Sequence, residues 1–82
     1  MKRLEIERMK LRYPSGTRVE LSHMVGEPQM QAGTKGTVQG VDDIGQIMVE
    51  WDNGSTLSLI PGADRYRVLR VIRENKQEEG KK

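Results

Sequence analysis

The chain contains no cysteine and no phenylalanine, a single histidine, one tryptophan and two tyrosines. Without cysteine there is neither a disulfide framework nor thiolate chemistry. One histidine is too few for a histidine-based metal site, and no nucleophile stands in a recognisable pairing with a base. So few rings argue against a groove paved with aromatics for proline-rich peptides, and against a platform for stacking single-stranded bases. No apolar run approaches the length that spans a bilayer, and the charged N-terminal stretch has no apolar signal core. The expectation is a soluble, cytoplasmic protein with no membrane contact, no cofactor, no metal and no catalytic residue.

The charge that is present is unevenly spread. Residues 1–16 carry five basic and two acidic side chains, residues 17–64 two basic and seven acidic, and residues 65–82 seven basic and three acidic. An acidic middle with basic ends is consistent with arms that meet nucleic acid or an acidic partner, and equally with ends attracted to their own middle.

The stretch Gly33–Leu59 organises the chain. Ile47, Val49 and Trp51 alternate with Met48 and Glu50, the period of a strand. Gly36–Val41 alternates likewise, and Asp42-Asp43-Ile44-Gly45 is a turn by composition. Setting Val41 opposite Gln46 pairs Gly40 with Ile47, Val38 with Val49 and Gly36 with Trp51, so that glycine makes room for bulky partners. After Trp51, a two-residue Asn-Gly turn would mix polar and apolar residues on each face. A three-residue loop with Gly54 in the left-handed conformation pairs Val49 with Leu57 and Ile47 with Leu59 and separates the faces, so it is the expected turn.

In chain order, Lys2–Arg12 suits a helix ended by Pro14, with Ile6, Met9 and Tyr13 on one side and Leu4 and Leu11 on the other. Thr17–Ser22 is a first strand, with Val19 and Leu21 inward. His23–Ala32 is a long loop whose methionines either offer an adaptable contact surface or plug the barrel end. Tyr66–Val71 is the last strand, with Tyr66 and Val68 inward and Arg65, Arg67 and Arg70 along it. The segment from Arg73 has nothing to bury and reads as a disordered tail. The fold class expected is mainly β: a small five-stranded, SH3-like, partly open barrel over 14–72, with an N-terminal helical arm over 1–13 and a charged flexible tail over 73–82. Its core is expected to be Val19, Leu21, Val38, Ile47, Val49, Leu57, Leu59 and Val68.

Gly16-Thr17-Arg18-Val19 followed by Gly33-Thr34-Lys35-Gly36-Thr37-Val38 resembles the KOW-type barrel of ribosomal proteins and elongation factors. Val49-Glu50-Trp51-Asp52-Asn53-Gly54 resembles the SH3-like repeats of mind-bomb ubiquitin ligases. A longer set combines Tyr13-Pro14, Gly16–Val19, Gly33-Thr34, Gly36–Val38, Val41–Asp43, Gly45–Ile47, Trp51–Ser55 and Ile60–Gly62 with Asp64. That set is similar to a bacterial and phage domain-of-unknown-function family, four-three-one-four, over roughly residues 3–71. This resemblance implies a source among Gram-positive bacteria, their phages or mobile elements, and carries no assigned activity. The loop Gly26–Ala32 has fewer prolines than the family pattern.

Chemistry is the weakest reading. Asp42 and Asp43 lie at one end of the second hairpin and Asp52 at the other, which at about 3.3 Å per residue puts them more than about 10 Å apart. These residues lack calcium-loop spacing and are read as turn formers. Two functions remain. The favoured one is a non-enzymatic protein–protein interaction module using Met24, Pro28 and Met30 of the loop and Leu4 and Leu11 of the helix, the latter pair also offering a homodimer contact. The alternative is nucleic-acid binding through Lys2, Arg3, Arg8, Lys10, Arg12, Arg65, Arg67, Arg70 and Arg73; against it, the barrel itself is acidic.

Overall fold

The computed structural model describes residues 2–71. Helix α1 spans Arg3–Arg12. Its start is held by the Lys2 backbone N–H, which donates to the Glu5 carboxylate at 3.0 Å. It ends at Tyr13 (φ −123°, ψ 70°), which leaves the helical region before Pro14 while its N–H still donates to Met9 O. One stripe docks: Ile6 is buried, and Met9 and Tyr13 pack against the core. Leu4 and Leu11 stay exposed on the other side.

Four antiparallel strands follow, β1 (Arg18–His23), β2 (Lys35–Val41), β3 (Ile47–Trp51) and β4 (Arg65–Arg70), in the spatial order β3-β2-β1-β4. The expected fifth strand is reduced to a single bridge, Ile47 with Leu59, closed by reciprocal backbone bonds of 2.9 and 2.8 Å. Two residues away the ladder does not continue: the Leu57 carbonyl accepts the Trp51 indole N–H at 2.9 Å, and no backbone bond joins it to Val49. The connection itself is the three-residue loop expected from face segregation. Trp51 N–H bonds Ser55 O at 2.8 Å, Gly54 N–H bonds Trp51 O at 2.9 Å, and Gly54 has φ +94°.

The β2–β3 register holds at Gly36–Trp51 and Val38–Val49, and then slips. A bulge at Gln39 pairs Gly40 with Met48 and Val41 with Ile47, so Val41 and not Gly40 faces Ile47. The slip turns Val41 into the core, where it is buried.

The core is Val19, Leu21, Val38, Val41, Ile47, Val49, Trp51 and Leu59, joined by Ile6 from the helix and by Met24 and Met30 from the long loop. Both methionines are interior, so of the two readings of this loop the exposed contact surface, and with it Met24 and Met30 as partner-binding residues, is not what the fold forms; they fill space between sheet and loop. The loop is pinned by Asp64, a buried carboxylate that accepts the Val25 N–H at 2.9 Å and the Ile60 N–H at 2.8 Å. Leu57 is only half-buried. Val68, expected in the core, is 41% exposed although Val19 opposite it is fully buried. Strand β4 is the last of its sheet, and at Val68 its inner face is only partly covered. The tail expected over 73–82 lies outside the described residues.

Candidate functional site

Strand β4 pairs with β1 alone, which makes it an edge. The hydrogen-bond direction along β1 settles which groups of β4 are left over. Leu21 gives its N–H to Thr34 O at 2.8 Å and takes the Gly33 N–H on its own carbonyl at 2.7 Å, so its backbone is turned to the β2 side. By the alternation of an antiparallel ladder, Val19 is turned the same way and Glu20 toward β4. Tyr66 and Val68, opposite Leu21 and Val19, are therefore non-hydrogen-bonded partners of β1. Their N–H and C=O groups point away from the sheet, along the open edge.

The side chains sort by the same register. On the outer face, Arg67 lies opposite Glu20 and Arg70 opposite Arg18, while Arg65 is opposite His23. Arg67 is paired: its Nε donates to Glu20 Oε1 at 2.8 Å and a terminal nitrogen lies 2.6 Å from the same oxygen. Arg18 is more tightly held, with bidentate bonds of 2.9 and 2.7 Å to Asp52 and a third of 2.9 Å to the Thr37 hydroxyl. The hydrogen bond from Arg18 holds the Asp52 carboxyl below its usual range. Among the described residues Arg65 and Arg70 belong to no ion pair. A bulge beside Arg70 is what brings it, with Arg65 and Arg67, to one face.

On the inner face, Tyr66 meets the helix. Its hydroxyl donates to that of Tyr13 at 3.0 Å, with ring centroids 6.0 Å apart and planes at 63°. Burial and this bond push the Tyr66 phenol up from its ordinary value. With Tyr13 and Tyr66 locked to each other and Trp51 buried, no exposed aromatic remains among the described residues for a base to stack on.

The other sequence candidates are dispersed. Arg3 pairs with Glu7 at 3.5 Å and Lys10 with Asp43 at 3.7 Å. Arg8 and Arg12 line a shallow groove beside α1 together with Glu5 and Met9. Lys2 is exposed at the helix start and Pro28 is exposed in the loop, apart from the buried Met24 and Met30. Arg73 lies outside the described residues. Asp42 and Asn53 act as turn formers: Asp42 Oδ1 accepts the N–H groups of Ile44 and Gln46, and Asn53 Oδ1 that of Ser55. No group of three or more acidic or histidine side chains suited to a metal is gathered among the described residues. No helix among them is long and apolar enough to cross a membrane.

A partly open barrel is what the sequence leads one to expect; what its parity does not reveal is that Val68, inward by period, lies exposed at the open edge.

These features define a small, helix-capped antiparallel sheet with one unpaired edge. The chain belongs to DUF4314, a domain-of-unknown-function family whose model matches residues 2–69. No curated protein and no solved structure matches it.

Proposed function

We propose that this protein is a non-enzymatic protein-interaction module, working in the cytoplasm of a bacterial or phage-infected cell. The observation that carries the reading is Val68: a valine on the core-facing side of the sheet, opposite a fully buried residue, yet 41% exposed on an unpaired edge. Exposed Leu69 beside it, and Leu4 and Leu11 on α1, add apolar surface that the described fold does not use. The order β3-β2-β1-β4, with residues 55–59 lying against β3, supports an SH3-like, partly open barrel whose gap falls beside β4.

The arginines of β4 favour a second reading, nucleic-acid binding through phosphate contacts. The two readings separate by salt. Contacts to phosphate release counterions and weaken steeply as salt rises, whereas apolar and backbone contacts do not. The full chain, coupled to a resin, is exposed to a lysate of its host; a retained protein is purified and its affinity measured at low and high salt. The module reading expects stoichiometric binding of a protein that is weakened modestly, and not lost, at high salt, because its apolar and backbone contacts remain when charge contacts are screened. Retention of nucleic acid alone, lost on raising salt, would replace it with the second reading.

A further inference from the structure

We infer that the β4 edge takes an extended, acidic segment of a partner protein as an added strand. The inference rests on the module reading and names what the module holds. Its first support is the backbone. By the alternation of the ladder, Tyr66 and Val68 direct their N–H and C=O groups outward, and no turn, loop or cap bond among the described residues uses them. An incoming strand satisfies these groups by continuing the ladder beyond β4.

Its second support is what such a strand would meet on each face. Alternate residues of an added strand fall on opposite faces of the sheet. Those on the inner face lie beside Val68, which is apolar and exposed. Those on the outer face lie beside Arg65, Arg67 and Arg70, of which only Arg67 has an acidic partner among the described residues. A segment that alternates acidic with β-branched apolar residues fits both faces at once, since opposite charges on neighbouring strands attract.

The same charges argue against the other occupants. Two copies of β4 paired antiparallel would set arginine-bearing strands side by side, and like charges opposite one another are destabilising. Nucleic acid would use the arginines but leave the outward backbone groups and Val68 unused.

The test uses the full chain and a fluorescent peptide of alternating glutamate and valine, as long as β4. Three controls accompany it: a lysine–valine peptide, the glutamate–valine peptide N-methylated along its backbone, and a short DNA duplex. Fluorescence anisotropy is expected to show saturable binding of the glutamate–valine peptide only. On binding, the amides of Tyr66 and Val68 become protected from hydrogen exchange.

Arg70→Glu together with Arg65→Glu should weaken binding by about tenfold or more, as two charge contacts turn repulsive. Val68→Pro removes one outward N–H without touching a bond to β1, a place where an edge strand tolerates proline, and should abolish binding. If that variant does not fold, the N-methylated peptide carries the same test from the other side.

The inference is overturned if the glutamate–valine peptide does not bind, if N-methylation leaves its affinity unchanged, or if the DNA duplex displaces it. A concentration-dependent mass that Val68→Pro abolishes also overturns it, by assigning the edge to a second copy. A captured protein partner that still binds the Val68→Pro chain would sink the edge while leaving the module reading intact.

Discussion

Gly36 shows how one residue sets the core. A Cβ built there would come within 2.6 Å of the Val49 Cγ1 and 2.7 Å of the Trp51 Cε3, closer than atoms pack. The absent side chain is the space that the indole occupies, and the indole N–H in turn holds the Leu57 carbonyl. Gly36→Val should therefore lower stability by about 1–3 kcal/mol, read by denaturant titration of Trp51 fluorescence. Asp52 acts at the surface. Arg18 depresses its folded-state pKa, so its contribution is present above the ordinary carboxylate value of about 3.9 and is lost as pH falls through the folded value. Asp52→Asn should flatten the decline of stability in that acid window and leave its slope near neutral pH unchanged. Thermal melts across pH measure this.

At the scale of the element, α1 is held by one face only. A helix this short is marginal alone in water, and docking Ile6, Met9 and Tyr13 on the core keeps it folded. Ile6→Ala should cost about 2–3 kcal/mol in chemical denaturation, because it empties a buried site. Leu11→Ala, at a side chain 82% exposed, should stay within about 0.5 kcal/mol. The exposed stripe also has a test of its own. If Leu4 and Leu11 pair two copies, light scattering will show mass rising with concentration, and Leu4→Glu with Leu11→Glu will suppress the rise. A constant mass leaves the stripe to a different protein.

Over the whole molecule, stability rests on one small cluster. Each buried aliphatic side chain contributes about 1.5–3 kcal/mol, and a domain of this size has only roughly 5 kcal/mol in hand. Val49 is near the centre of that cluster, 2% exposed between Val38 and the 55–59 segment. Val49→Asp puts an unpaired charge there and should abolish the cooperative thermal transition seen by circular dichroism. The charge asymmetry along the chain also changes meaning once folded. On α1, Arg3 and Lys10 are paired with Glu7 and Asp43, whereas Arg65, Arg67 and Arg70 of β4 share one strand and one face.

The sequence by itself determined the family, the helix and its docked stripe, the inward residues of β1 and β3, and the three-residue loop at Gly54. Each of these is a local matter: a period, a proline, or the requirement that apolar side chains share a face. Tertiary structure decided the rest. The bulge at Gln39 turned Val41 inward, which no period of two predicts. The expected fifth strand shrank to the Ile47–Leu59 bridge, with the Leu57 carbonyl bonded to the Trp51 indole. Met24 and Met30 became core in a loop that Asp64, far away in sequence, ties down at Val25. Val68 kept the parity read from its sequence but not the burial. A period says which way a side chain points, and only the neighbouring elements decide whether anything is there to cover it.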